Sequence, residues 1–337
     1  MFGGALNFLL GESSSSDEHS SQIDPRDLTA DEGTMTDTPH RVFLTFGEVY
    51  YEYLEVVGGG ANQFTRRIAG AELELALELQ TAGGVCELFT VLPSGPHGDS
   101  VGKYIQSSGV TLRTAASSPG PPIGDLTVTS EGERIFQRSC SAFAYVQTPF
   151  RWDKGIVTDR APCWVHVACS SVMFSDYAKE GWVRLLENAT EPKREEGEVL
   201  VSLELDSARC SAQVAKIWAF VQPYLPRLDL LLLSPSELLT ILQLEQILAV
   251  SDFAMGVQAL RPVSGCRCIA VTVPSPDGPT LLVAHDSGAF FEKKFPTSST
   301  ERSVSGFLVK ILMNQHRFID SEHFVGALEQ LTPEFVE

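Results

Sequence analysis

The sequence predicts an α/β fold: a mainly parallel sheet covered by helices on both faces. Three observations carry this. Short, almost wholly apolar runs recur at Cys163–Cys169, Val199–Leu205, Leu228–Leu233 and Cys268–Val273, as strands buried on both faces read. Helical patterns separate several of them, and strand alternating with helix at this pitch is the mark of a parallel sheet. The chain is also long enough, since 337 residues at 43% hydrophobic content bury a large core.

The elements follow in order. Residues 1–40 are rich in Ser, Asp, Glu and Thr without sustained periodicity, which predicts a disordered acidic tail ahead of one domain at 41–337. Order begins with the apolar strand Arg41–Glu48. Between Ala69 and Ala82, the spacing of Leu73, Ala76, Leu77 and Leu79 predicts a helix that Gly83-Gly84 ends. A strand at Val85–Val91 comes next, then a Gly/Pro/His/Asp loop and a short helix over Val101–Ser107. Leu126–Thr129 and Ile135-Phe136 read as two arms of a hairpin turning at Ser130–Gly132. Further on, Ala212–Val221 and Glu237–Val250 carry helical patterns; in the second, Leu238, Leu239, Ile241, Leu242, Leu244, Ile247 and Leu248 are read as packing residues. Gly58-Gly59-Gly60-Ala61-Asn62 lacks the Lys-Ser/Thr of a P-loop and is expected to be a flexible turn.

Charge and cysteine content narrow the function classes. A net charge of −18 argues against nucleic acid or an anionic membrane surface as partner. No apolar run reaches the roughly 18 residues of a membrane span. The opening ten residues are apolar but lack a basic region, so they make a poor signal peptide. Cysteines 86, 140, 163, 169, 210, 266 and 268 are odd in number and scattered, which suits free thiols in a reducing compartment, the cytoplasm. Cys266-Arg267-Cys268 has the wrong spacer for a zinc knuckle.

The most informative stretch is Phe295-Pro296-Thr297-Ser298-Ser299-Thr300-Glu301, running into Arg302–Leu308. It is a small-residue loop leading into a helix, with a carboxylate on the first turn. Free N–H groups at a helix N-terminus accept an anion, so this is the layout of a phosphate site. By position and by its Gly-Phe-Leu ending it resembles the DTTGAGDAF…GFL signature of the ribokinase/PfkB carbohydrate kinases. The GAGD of that motif falls on Ser298, Ser299, Thr300 and Glu301, so both glycines are replaced and the catalytic Asp is Glu. A second stretch, Ala69–Gly83, resembles the family's GGAEANVAVALARLG, with Glu74 in place of the sugar-binding Asn. Thr45-Phe46-Gly47-Glu48 is similar to the opening TFGE of 2-keto-3-deoxygluconate kinases. Pro96-His97-Gly98, Phe136–Ala142 with its Arg138, Leu233–Glu237 and Val271–Gly278 resemble further family segments in the same order.

The resemblance implies a three-layer α/β/α, ribokinase-like domain with a small β-sheet lid built from segments near 48–68 and 123–138. It implies ATP and Mg²⁺ as cofactors, a sugar or sugar acid as acceptor, and a homodimer formed through the lid. Residue by residue, it makes Glu301 the catalytic base. Ser298, Ser299, Thr300 and Glu237 would face the nucleotide, with Glu237 also linked to Mg²⁺, and Glu48, Gly70, Glu74 and Arg138 would lie on the substrate side. Other readings stay open beside it. Glu301 also suits a solvated helix-terminal carboxylate, Arg138 a surface cation, and Ser234-Pro235-Ser236-Glu237 a helix capping box. The charge of Glu74 is expected to repel an acidic substrate. Two functions follow: a carbohydrate kinase of weak or lost activity, or a non-catalytic pseudokinase that serves as a ligand-binding or scaffold protein. A nucleoside-type kinase of the same fold is a third, weaker option.

Overall fold

A computed structural model describes residues 41–56, 63–114, 122–145, 157, 163–173, 175–190, 199–210, 213–244, 249–300, 304–306 and 308–309. The chain divides into Met1–Asp37 and Thr38–Glu337, and the described residues all belong to the second unit. The expected tail, the Gly58–Asn62 turn and Glu301 lie outside the described residues.

Nine strands form the main sheet, in the order β13-β12-β11-β10-β9-β8-β1-β4-β5. They are β1 (Val42–Phe46), β4 (Val85–Thr90), β5 (Thr111–Thr114), β8 (Cys163–Ala168), β9 (Val199–Glu204), β10 (Leu230–Leu233), β11 (Cys268–Val273), β12 (Thr280–His285) and β13 (Phe290–Lys294). All neighbours from β11 to β5 run parallel, while β12 and β13 close one edge antiparallel. The sequence gives the reason: β8, β10 and β11 bury every residue, because both faces are covered. Alternate residues feed two cores. Phe46, Val165, Leu231 and Ile269 enter one; Phe43, Trp164, Leu230 and Cys268 enter the other.

Seven helices are described: α1 (Ala71–Thr81), α2 (Pro96–Ser107), the single turn α3 (Cys169–Val172), α4 (Asp176–Ala189), α5 (Val214–Val221), α6 (Pro235–Leu242) and α7 (Val250–Ser264). Five differ from the sequence reading, and two of these, α3 and α4, it does not name. Helix α2 starts at Pro96, inside the stretch expected to be loop, because Pro at the first helical position gives up an N–H that needs no partner there. Helix α6 ends at Leu242, where Gln243 turns left-handed at φ 55°, rather than running to Val250, so Leu244 is exposed instead of packing, and Ile247 and Leu248 lie outside the described residues. The next helix, α7, and the β12–β13 hairpin were not anticipated.

A separate four-stranded sheet has the order β3-β2-β6-β7. Its strands are β2 (Tyr50–Glu55), β3 (Phe64–Ala69), β6 (Gly124–Val128) and β7 (Arg134–Gln137), and β6 pairs with β7 as the expected hairpin. These are the two segments assigned to the lid.

Candidate functional site

In an open α/β sheet, ligands bind beyond the carboxyl ends of the parallel strands. Here those ends carry Gly47 and Glu48 after β1, Ser170 and Ser171 after β8, Glu204 and Asp206 at β9, and Ser234 after β10. The small sheet contributes Arg67, Arg134 and, just past β7, Arg138.

Glu48 and Arg138 form a buried ion pair. Arg138 Nε donates to Glu48 Oε2 at 2.7 Å, and the side chains are 1% and 0% exposed. Ser141 Oγ donates to the other Glu48 oxygen at 2.7 Å. Burial pushes the Glu48 pKa up, against the opposing pull of Arg138 and Ser141. The Arg138 guanidinium lies over the Tyr50 ring, 4.3 Å from its centroid, and its Nη1 donates to the Arg209 carbonyl. Arg138 is therefore no surface cation.

Gly70 caps α1, and a Cβ there would strike the Glu48 carbonyl oxygen. A Cβ on Gly47 would overlap the carboxyl of Glu72. Glu72 is fully buried: Oε1 accepts the Ala168 N–H at 3.1 Å and Oε2 accepts from Ser171 Oγ at 2.9 Å. Ser171 Oγ in turn accepts the Glu48 N–H. Burial raises the Glu72 pKa to about 8.

Glu74 sits between two arginines, Arg209 at 2.6 Å and Arg67 at 3.2 Å, and Arg67 also pairs with Glu52. Its charge is thus compensated, which removes the reason given above for it to repel an acidic substrate. Burial pulls the Arg209 pKa down, but Asp206, Tyr50, Glu74 and Glu204 outweigh that and hold it well above the ordinary value. The Arg134 guanidinium of β7 donates to the Ala208 carbonyl.

Glu237 is buried and completes a capping box: its N–H donates to Ser234 Oγ, and Glu237 Oε2 accepts the Ser234 N–H at 2.8 Å. Its Oε1 accepts the Ser207 N–H at 2.6 Å. Both oxygens thus hold backbone donors, which does not fit a metal-bound carboxylate. Among the described residues, no group of three His, Cys, Asp or Glu side chains converges for a metal.

Ser298 and Thr300 are exposed, whereas Ser299 is buried. The Ser299 N–H donates to the Pro296 carbonyl at 3.0 Å, so it does not face an incoming anion. The buried Ser299 Oγ lacks a hydrogen-bond partner and is the loop feature that best fits a phosphate oxygen. Among the described residues of the loop, the Ser299 N–H is thus withdrawn from a backbone phosphate cradle.

A cavity of about 220 Å³ opens beside these groups, lined among others by Arg134, Glu204, Asp206, Arg209, Glu237 and Ser305. Of the residues singled out from the sequence, Glu237 and Ser234 lie on its wall among the described residues. Asp206 and Arg209 were missed, although the run Asp206-Ser207-Ala208-Arg209 directly after a buried strand marks a strand-end turn with charge.

No family model matches the chain, and no curated protein sequence matches it significantly. Solved structures do. The 2-dehydro-3-deoxygluconokinase of Thermotoga maritima superposes with a TM-score of 0.64 at 17% identity, over 80% of this chain and 86% of its own. A fructokinase from Vibrio cholerae, solved with fructose, ADP and calcium, gives 0.64 at 16% identity, over 89% and 96%. The aminoimidazole riboside kinase of Salmonella enterica, solved with its riboside and an ATP analogue, gives 0.62 at 18%, over 86% and 90%. The nine-stranded sheet, its flanking helices and the small second sheet together are the ribokinase-like fold of the PfkB carbohydrate kinases.

Proposed function

We propose that the chain is a PfkB-type carbohydrate kinase homologue in which phosphoryl transfer to a sugar hydroxyl is weak or absent, and whose cleft persists as a small-ligand site. The observation that carries this reading is the loop at 296–300. Phosphoryl transfer depends on positioning and on donors aimed at developing charge. Here the Ser299 N–H is given to Pro296, and side chains stand at 298 and 300 where the related motif has glycines. At 301, Glu is one methylene longer than Asp, and a misplacement of about 1 Å costs on the order of a hundredfold in rate. Free cysteines fit a cytoplasmic location. Phe64 and Ile135, each at least 40% exposed on the small sheet, suit a homodimer formed through it.

The test is calorimetric titration with Mg-ATP, followed by an ADP-release screen over sugars and sugar acids. Turnover is expected at least ~100-fold below the roughly 1 s⁻¹ at the low end of ordinary enzymes. Ordinary turnover on any acceptor overturns the proposal. If trace activity appears, Glu301→Gln should abolish it while leaving ATP affinity nearly unchanged, because a base acts in the transition state. Restoring glycine at 298 and 300 and Asp at 301 should raise it.

A further inference from the structure

We propose that Glu74 is a specificity-determining residue of the cleft: its carboxylate occupies a cradle of two guanidiniums, Arg67 and Arg209, and so shuts out ligands that carry a carboxylate of their own. This rests on the reading of a retained small-ligand cleft and names the ligand class that the cleft refuses. Three observations converge on it.

The first is geometry. Arg67 lies on β3 of the small sheet, Arg209 in the turn Ser207–Arg209 that follows β9, and Glu74 on α1. The two arginines hold different oxygens of one carboxylate. Arg67 Nη2 stands 3.2 Å from Glu74 Oε1, and Arg209 Nη2 stands 2.6 Å from Glu74 Oε2. Guanidiniums closing on both oxygens of a carboxylate form the arrangement that recognises a free acid. In this cleft the acid belongs to the chain itself.

The second is access. The Arg67 side chain is 51% exposed, against 16% for Arg209 and 14% for Glu74. Solvent therefore reaches the cradle from the Arg67 side, and a dissolved anion follows the same route once the Glu74 carboxylate is gone.

The third is competition. The Glu74 charge is neutralised, so acids are excluded without repulsion, because both cations are already taken. A tethered group competes as though present at about millimolar concentration or more. The neighbouring carboxylates are engaged elsewhere: Glu52 accepts from Nε of Arg67, and Asp206 Oδ2 accepts from Ser170 Oγ. Arg209 stays charged without Glu74, because a guanidinium does not deprotonate in proteins.

Glu74→Ala removes a CH₂–carboxylate, which acetate matches. The variant loses the counter-charge of a largely buried arginine and is itself destabilised; what is read is its recovery by acetate. The full chain and the variant are unfolded in urea over a series of sodium acetate concentrations, with sodium chloride holding the ionic strength constant. Acetate should stabilise Glu74→Ala saturably, as a ligand of the folded state does, and the parent should need at least about tenfold more acetate for the same gain. Adding Arg67→Ala to Glu74→Ala should weaken acetate binding about tenfold, which a merely structural role of Glu74 would not produce. Should Glu74→Ala fail to fold, Glu74→Gln decides: it keeps the side-chain volume without the charge, and acetate should raise its urea midpoint above that in chloride. The proposal is overturned if acetate stabilises the parent equally, if it stabilises neither variant, or if Arg67→Ala leaves acetate binding intact. Ordinary kinase turnover on a neutral sugar would defeat the proposed loss of transfer and not this inference. Equal stabilisation of an inactive parent by acetate would defeat this inference alone.

Discussion

At Glu72 a carboxyl is held away from water between Gly47 and the start of α3. Burial raises its pKa from 4.5 to about 8, against the pull of its hydrogen bonds, with the nearby charge of Asp206 adding a smaller push in the same direction. The folded state therefore keeps a proton that the unfolded chain releases in that interval. Its stabilising contribution is full below pH 4.5 and is lost as pH rises through about 8. Glu72→Gln is neutral at every pH and retains an acceptor for the Ala168 N–H. Relative to this variant, the parent protein should lose stability steadily between pH 5 and pH 9. Urea unfolding of both at several pH values reads this directly. A constant difference across the range would mean that Glu72 is already ionised in the fold.

Among the elements, β7 ties the small sheet to the body. Arg134 reaches the Ala208 carbonyl and Arg138, just past the strand, reaches that of Arg209, so two consecutive carbonyls of one turn hold the hairpin. Arg138 is also locked by Glu48, whereas Arg134 lies on the exposed part of the sheet and is the removable tie. Arg134→Ala should speed amide exchange across Gly124–Gln137 severalfold and leave β8 and β9 protected, because local opening follows local contacts. Unchanged exchange in the hairpin would show that Arg138 alone suffices. This hairpin was legible in the sequence, since Leu126–Thr129 alternates and Ser130–Gly132 supplies the turn. The strand runs at 163, 199, 228 and 268 were equally legible, because burial on both faces leaves almost no polar residue. Helix α7 was not: its exposed Met255 and Val263 blur the amphipathic pattern, and Pro262 reads as a breaker although it sits in the last turn. Strand β13, with its Glu and Lys residues at the sheet edge, lacked the apolar run that marks its neighbours.

At the scale of the whole molecule, the site is a product of topology. Glu48 meets Arg138 across 90 residues, and Glu74 meets Arg209 across 135. No local spacing announces such pairs, so the sequence could flag a carboxylate and an arginine separately without saying that they neutralise each other. What makes these meetings reproducible is the shared sheet, and that gives the last prediction. Leu230 and Leu231 are neighbours in β10, both fully buried, yet they enter opposite cores. Truncating either to Ala should cost about 2–5 kcal/mol, as for other well-packed leucines. If each face were a separate folding unit, Leu230→Ala would shift only the transition seen by Trp164, and Leu231→Ala only that seen by Trp182, since the two tryptophans lie in the corresponding cores. One sheet forms the wall of both, and its strands cannot pair for one face alone. Both substitutions should therefore lower a single urea midpoint with little change in slope. The readout is fluorescence in variants that keep Trp164 or Trp182 as sole reporter, compared with far-ultraviolet circular dichroism. Separate midpoints for the two reporters would show that the layers on the two sides of the sheet unfold independently.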